Sequence, residues 1–549
     1  MKKKVDCFLI GHNEMQFEDY ERSIRIMGVN SGAYRDLNMN FIRSNNKLYS
    51  ASDIFNELCC NGNGSSSSDS IRPKPVTMGS SFSATVAYLG TYLYRRGLNF
   101  DYVSSFQDEK EYLAEKLAQE DILTIAITTT FYVSSLPILE IMEFIKKYNR
   151  DAKIIVGGPF VSAQVRSREP KGLQSVLRSI RADFYVNSSQ GEATLVKLIR
   201  ALKEGGDIDK INNLYYMNDE GYVSTPVLKE DNPLSENMVK WDLFADRVDD
   251  YVMVRTSRSC PFACSFCGFP QHAGKYQTAN LKAVEEELNL LDQIESLRHV
   301  DFVDDTFNVP PERFKEIVRM IIKNRYKFLW HSQFRCQYAD REMVELMKES
   351  GCKGVFLGIE SGNNQILKNM NKAVTVEKYL KGIELLKEYG ILTFGCFIVG
   401  FPGETDETIR DTFNFIEDSG LDFFRTQLWF CDPITPIWEQ KEKYDIQGAH
   451  FKWSHATMDF RRGCDFVEQS FLSIKNSTWV PQYNFEFDAL FHLMNRGMTQ
   501  DQVKLFLKGF NSGIREKLTD PSQKEAGSRV LETIKKACGQ CKEMEVCEK

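Results

Sequence analysis

Tyr251-Val-Met-Val-Arg-Thr-Ser-Arg-Ser-Cys260-Pro-Phe-Ala-Cys264-Ser-Phe-Cys267-Gly268 is the stretch on which the reading of this 549-residue chain turns. Its apolar opening reads as a strand, so Cys260, Cys264 and Cys267 lie on the loop that leaves the strand's carboxyl end. A [4Fe–4S] cluster normally takes four thiolates, one to each iron. A loop that offers three holds such a cluster and leaves one iron open to a ligand that is not protein. The bland alternatives are a zinc site or three unrelated thiols. Zinc usually asks for a fourth ligand and for paired C-x2-C spacings, so the cluster is the expectation.

Working downstream, helices and strands alternate. A helix over 280–294 precedes the strand that starts at His299 and ends in Asp304, Asp305 and Asn308. The helix 311–324 leads to the strand 328–333, with Arg335 just past its end, and the helix 340–350 to the strand 354–358, which ends in Glu360-Ser361-Gly362. The helix 376–389, the strand 392–399 with its Gly400-Phe-Pro-Gly-Glu404-Thr405 turn, the helix 407–418 and the strand 423–428 close the series. Counting the strand before the cysteines, this predicts a partial barrel of six β–α steps. Parallel barrels gather their chemistry at strand carboxyl ends, and each polar cluster here falls at one.

Upstream, 5–11 reads as a short, buried, parallel strand. A helix over 81–96, strands at 100–103, 122–128, 153–156 and 184–186, and helices at 109–119, 136–148 and after Glu192 follow in alternation. That pattern predicts a doubly wound parallel sheet, which binds ligands at the carboxyl ends of its strands. No G-x-G-x-x-G opens a helix after the first strand, so a dinucleotide is a weak expectation. Between the first strand and the first helix lies a long excursion around the low-complexity run 61–70, read as a loop near 30–80. The expected domains are 1–240 (the Rossmann-like sheet), 245–440 (the barrel) and a mainly helical 441–549 that caps it and shapes the substrate pocket. Trp429, Trp438, Trp453 and Tyr483 are candidate pocket walls, with core packing the more ordinary role. Cys538, Cys541 and Cys547 offer either a metal site or stray thiols at a frayed end.

Composition sets the frame. At about 150 residues per domain, the length suits about three domains. Hydrophobic residues at 42% and charged residues at 26% are ordinary for a globular enzyme, and the net charge of −7 gives no reason to expect nucleic acid. No apolar run approaches the ~20 residues of a membrane span, and the opening residues turn polar too early for a signal peptide. Fourteen cysteines in so long a chain do not make a disulfide scaffold, so free thiols in a reducing cytoplasm are expected.

The cysteine loop, with Phe266 before its last cysteine, resembles the C-x3-C-x2-C motif of radical S-adenosylmethionine (SAM) enzymes. The match runs over about residues 120–440. It implies that Asp304 and Asp305 receive the SAM amino group, that Glu360 and Ser361 bind SAM or its ribose, and that Arg335 pairs with the SAM carboxylate. It also implies that the glycines of 400–405 shape the adenine pocket through their backbone. Upstream, Thr124–Thr130, Ile154-Ile-Val-Gly157-Gly158-Pro159 and Ala182-Asp-Phe-Tyr-Val with Gln190-Gly191-Glu192 resemble the cobalamin-binding domain that precedes many radical SAM cores. This implies that Thr128, Gly157, Gly158, Gly191 and Glu192 line the corrin and its tail. The D-x-H-x-x-G loop that gives cobalt an axial histidine is missing, and His12 is the sole histidine before residue 272. The chain as a whole resembles the class B, cobalamin-dependent radical SAM methyltransferases, and its opening residues 6–15 resemble the branch with P-methyltransferases of phosphinate pathways. The resemblance implies a natural-product enzyme with a [4Fe–4S] cluster, SAM and cobalamin. A 5′-deoxyadenosyl radical would activate an inert carbon or phosphinate phosphorus, which then takes a methyl group from methylcobalamin. The alternative is cyclisation, rearrangement or oxidation without methyl transfer. The implied partners are a small-molecule or peptide substrate and an electron donor such as flavodoxin or ferredoxin, with no nucleic acid and no membrane.

Overall fold

The computed structural model describes residues 2–60 and 74–539. The chain divides into two compact units. One comprises Met1–Met15, Met78–Arg258 and His272–Leu297, the other Gln16–Thr77, Ser259–Gln271 and Arg298–Lys549.

The first unit is built on a parallel sheet in the order Phe100–Ser105, Lys4–His12, Asp121–Thr128, Lys153–Gly157, Phe184–Val186. Two antiparallel strands, Leu214–Asn218 and Gly221–Ser224, extend it at one edge. Helices cover both faces, so Val5, Phe8, Ile10, Ile125, Ile127 and Val156 are all buried. Burial on both faces is why these strands read as unbroken apolar runs. In chain order the five parallel strands lie 2-1-3-4-5. The order therefore reverses between Lys4–His12 and Asp121–Thr128, and a crevice opens at their carboxyl ends. Two helices escape the sequence reading, Pro159–Ser167 and Pro170–Ile180, each with proline in its first turn. Gly158 and Pro159 look like a turn, but proline at a first helical position starts a helix.

The second unit is built on parallel strands in the order His299–Phe302, Leu329–Phe334, Cys352–Glu360, Leu392–Val399, Phe423–Leu428, Thr478–Trp479. The helices Pro311–Asn324, Arg341–Glu349, Val376–Glu388 and Asp406–Asp418 connect them, as the apolar periodicity predicts. The α/β class, the parallel sheets and the helical C-terminal part are as expected.

The boundaries differ from the expectation. The region 441–549 adds the strand Thr478–Trp479 to the barrel sheet before its helices Phe487–Asn495, Gln500–Thr519 and Ser528–Cys538. Gln16–Thr77, which includes most of the loop expected near 30–80 of the first domain, falls in the second unit, and its described residues carry the helices Phe17–Arg25, Gly32–Asn38 and Ala51–Phe55. Ser31 and Ser50 cap two of these helices through their hydroxyls, Ser50 in a reciprocal capping box with Asp53. Asn45 and Asn46, at φ 51° and 60°, turn the hairpin between Ile42–Ser44 and Lys47–Tyr49. The low-complexity run 61–70 lies outside the described residues.

Candidate active site

The three cysteines occupy one tightly held loop of the second unit. The Cys267 amide closes a turn onto the Cys264 carbonyl at 3.1 Å. Ser265 anchors the loop from the middle. Its amide donates to the Met370 carbonyl at 2.8 Å, its hydroxyl to the Asn369 carbonyl at 3.0 Å, and its carbonyl accepts from the Ile437 amide at 2.9 Å. Asn371 adds a bond from Nδ2 to the Ala263 carbonyl at 2.7 Å. Such a loop presents its thiols without help from the metal.

Those thiols fit a cluster. Burial pushes Cys260 up and Cys267 to about 11, and the neighbouring cysteines and Asp305 add to both. Burial keeps these two thiols protonated in the absence of metal, against the Phe262 amide and Arg335 at Cys260, whereas a coordinated thiol is deprotonated outright. Among the described residues no three of His, Cys, Asp and Glu converge on a single metal ion. Thiolates of a cluster bind separate irons.

The strand ends bring the expected polar residues round this loop unequally. Asp304 is buried, and Asp305 lies close enough to the cysteines for its charge to act on two of them. Arg335 is 7% exposed. Its Nη2 donates to Cys264 Sγ at 3.4 Å, and its guanidinium carbon lies 3.5 Å from the centroid of the Phe262 ring. Asn308 locks the backbone beneath it, accepting from the Arg335 amide at 2.9 Å and donating to its carbonyl at 3.0 Å. Glu360 is paired inside the protein, its Oε1 2.8 Å from Lys372 Nζ. Lys372 lies 5.3 Å from the centroid of Phe266, so the pair backs the cysteine loop. Ser361 is fully buried, with its hydroxyl 3.3 Å from that of Thr412 and accepting from the Asn363 amide at 3.2 Å. It ties the turn to the helix Asp406–Asp418.

Several buried polar atoms near these strand ends have no protein partner: Thr306 Oγ1, Ser332 Oγ, Arg335 Nη1, the Gln337 amide and Tyr379 Oη. Each costs about 1–3 kcal/mol when left unpaired. A polar ligand with several acceptors and donors resolves that cost, and SAM is such a ligand. In the turn Gly400–Thr405, Glu404 accepts from the Gly400 and Phe401 amides, and burial raises its carboxyl to about 8. Gly400 stands at φ 91°, and a Cβ there would lie 2.4 Å from the Trp453 ring. Backbone shape is what this turn contributes, and at Gly400 it makes room for the Trp453 ring. Trp429 and Trp453 are 2% exposed, Trp453 Nε1 donating to the Trp429 carbonyl at 2.8 Å, and they are core residues.

Phe262 and Lys372 escaped the sequence reading, and Asn308 was read as part of a polar strand end without its partner. The first signal was available, since an aromatic inside the cysteine loop is a cation platform. Asn308 and Lys372 act across the fold on partners 27 and 12 residues away.

In the first unit, sheet register aligns Thr128 with Gly157 and Gly157 with Val186 at the carboxyl edge. Gly158 and Gly191 stand at φ 114° and 83°. A Cβ on Gly158 would lie 2.8 Å from Thr129 Oγ1, and one on Gly191 3.0 Å from Val186. Only glycine fits these two turns, because of the left-handed backbone and the close packing of Thr129 and Val186. Thr128 Oγ1 donates to the Ile10 carbonyl at 3.1 Å and Thr129 Oγ1 to the Gly157 carbonyl at 2.9 Å, tying the edge together. Glu192 is buried and accepts from Asn232 Nδ2 at 3.0 Å, so it braces the turn. Glu230, unforeseen, caps the same helix through the Ala193 and Thr194 amides at 2.9 and 3.0 Å. His12 is buried at the switch point, its ring 5.0 Å from Phe131, and burial lowers it to about 4. Phe131 and Val133 are 52% and 81% exposed beside that crevice.

Residues 254–416 match the Radical SAM superfamily. The chain is 28% identical over 333 residues to an uncharacterized methyltransferase, PH0819, of Pyrococcus horikoshii, covering 58% of this chain and 69% of that protein. It is 25% identical over 397 residues to the anaerobic magnesium-protoporphyrin IX monomethyl ester cyclase of Rubrivivax gelatinosus, covering 67% and 68%. Among solved structures, TsrM of Kitasatospora setae, a radical SAM methyltransferase with cobalamin and a [4Fe–4S] cluster bound, superposes with a TM-score of 0.61. The identity is 16%, over 81% of this chain and 98% of that one. The cobalamin-dependent radical enzyme OxsB with aqua-cobalamin bound gives 0.56 at 14% identity, over 94% and 67%. The fold is that of these proteins.

Proposed function

We propose that this chain, a radical SAM enzyme with a [4Fe–4S] cluster and SAM as cofactors, also binds cobalamin and methylates an unactivated carbon or phosphinate phosphorus of a natural-product precursor. The observation that carries the proposal is the pairing, in one chain, of a three-cysteine loop with a parallel sheet whose glycine turns lie at the carboxyl edge beside a topological switch point. The overall likeness to TsrM supports it. When bound, the cluster and SAM supply a carbon radical and cobalamin supplies the methyl group. The chain's own residues do the rest. Cys260, Cys264 and Cys267 hold three irons. Arg335 Nη1, Thr306, Ser332, Gln337 and Tyr379 offer unspent hydrogen bonds to SAM. Asp304 and Asp305 provide acceptors for its ammonium group. Thr128, Gly157, Gly158 and Gly191 admit the corrin, and Phe131 and Val133 give it an apolar neighbour. His12, buried against Phe131, would close the end of the first strand beside them. The likeness to the magnesium-protoporphyrin ester cyclase supports a second reading, oxidative cyclisation without methyl transfer.

Anaerobic reconstitution with iron, sulfide and hydroxocobalamin, followed by reduction in the presence of SAM, tests the proposal. The expected products are 5′-deoxyadenosine and a methylated corrinoid, with deoxyadenosine abolished by Cys264→Ala and corrinoid retention abolished by Gly158→Val. Deoxyadenosine without retained corrinoid would refute the cobalamin part. A product that gains no methyl from SAM labelled in its methyl group would select the cyclase-like reading.

A further inference from the structure

Arg335 does more than the sequence assigns to it. Its guanidinium is permanently charged, 93% buried by its 7% exposure, and among the described residues no carboxylate lies within ion-pair distance of it. An unpaired buried cation is costly unless something compensates it. Two groups do so here, both on the cysteine loop. The Phe262 ring lies under the guanidinium carbon at 3.5 Å, and Cys264 Sγ accepts from Nη2 at 3.4 Å. Phe262 is itself stacked on Tyr338, with centroids 6.2 Å apart and planes at 24°. Asn308 fixes the Arg335 backbone from the preceding strand end. The side chain is thus positioned by two contacts above a fixed backbone, and one of its two terminal nitrogens faces a cysteine sulfur.

We propose that Arg335 is a positioning residue that sets the reduction potential of the cluster through the Cys264 sulfur. The argument is electrostatic. One electron from an external low-potential donor enters the cluster, no bond breaks, and no proton is taken up. The cluster gains one unit of negative charge, part of it on its thiolate sulfurs. A fixed cation with an N–H aimed at one of those sulfurs stabilises the reduced state more than the oxidised state, and hydrogen bonds to cluster sulfurs are a recognised lever on potential. Nη1, which has no protein partner, stays available to SAM. The two nitrogens therefore have separable roles, and the potential measured without SAM reports the first role alone. This inference rests on the cysteine loop and not on cobalamin.

The test is a redox titration followed by EPR on reconstituted enzyme without SAM, with iron and sulfide content measured on every sample. In Arg335→Gln the ratio of reduced to oxidised cluster at a fixed potential should fall about tenfold, a shift of about 59 mV to lower potential for a one-electron couple. Arg335→Lys, which keeps the charge and loses the fork, should recover part of the shift, and Phe262→Leu, which removes the platform, should give a shift of the same sign. A fully loaded Arg335→Gln cluster with an unchanged midpoint would overturn the proposal. So would a variant whose only defect is weaker SAM binding. Should Arg335→Gln fail to hold a cluster, pulsed EPR of the reduced wild-type enzyme in H2O and D2O decides. An exchangeable proton coupled to the cluster and missing in Arg335→Lys supports the proposal, and its absence from the wild type refutes it.

Discussion

Glu360, which the resemblance marks for SAM or its ribose, is held in the structure by an internal ion pair. It stands at φ 69°, a left-handed conformation that costs a side-chain-bearing residue roughly 1–2 kcal/mol. Its carboxylate turns inward to Lys372 at 2.8 Å, with the two side chains 11% and 6% exposed. Gly358 makes room for this, since a Cβ there would lie 2.6 Å from Glu360 Oε1. The motif Gly358-Ile359-Glu360-Ser361 was visible in the chain. Its partner, twelve residues further on beyond a short helix, was not, because nothing local links a lysine in a loop to a glutamate at a strand end. Removing one member of a buried pair strands the other charge, at a cost of roughly 3–5 kcal/mol, whereas removing both costs less. Lys372→Met should therefore lower unfolding stability by about that amount, and Lys372→Met with Glu360→Gln should recover a good part of it. Urea denaturation of the three proteins measures the difference. Equal losses in the single and double variants would mean that the pair is not what holds this turn.

At the scale of elements, the strand–helix alternation was legible because parallel strands buried on both faces are short apolar runs, and the expected ranges lie within a few residues of the observed ones. What was not legible is which residues meet across elements. His299 and His331 lie on adjacent strands, and His492 comes from the helix Phe487–Asn495. His299 Nε2 and His331 Nδ1 are 2.8 Å apart, one donating and the other accepting, and His331 Nε2 lies 3.3 Å from Asp301 Oδ1. Phe491 stacks on His331 at 4.2 Å. Burial depresses all three imidazoles, His299 to about 3 and the other two well below the ordinary value. Lys353, near His299, and Arg496, near His492, depress them further. The unfolded histidines titrate near 6.5 and the folded ones lower, so their contribution is complete above 6.5 and is lost as pH falls below it. Each costs about 1.4 kcal/mol per pH unit in that range. Unfolding free energy measured from pH 6 down to 4.5 should fall less steeply in His492→Leu than in the parent, by about that slope. Identical slopes would show that His492 takes up its proton in the folded state.

The whole chain is organised differently from a simple succession of domains. The described residues of 16–77 are a folded part of the second unit. Arg35 pairs with Asp465 and Glu468 at 2.9 and 2.8 Å. Tyr20 stacks on Tyr483 at 4.9 Å, and Lys517 Nζ donates to the Phe41 carbonyl at 2.8 Å. This segment is also joined covalently to the helix Ser528–Cys538, because Cys59 forms a disulfide with Cys538, 479 residues later. Free thiols were the expectation, since a composition of 14 cysteines over 549 residues gives no hint of a single pair, and Cys538 read as part of a terminal trio. Cys541 and Cys547 lie outside the described residues. Constraining so long a loop restricts the unfolded chain far more than a local bridge does. Alkylation of the denatured protein, purified without reductant and free of cluster, should therefore label two fewer thiols than alkylation after reduction. In Cys59→Ser that difference should vanish, with Cys538 labelled at once and identified by peptide mass. If reduction releases no thiols in the parent, the segment and the helix meet through packing alone. If Cys59→Ser still gains two, the bridge joins other cysteines, and Cys60, buried beside Cys59, is the first to test.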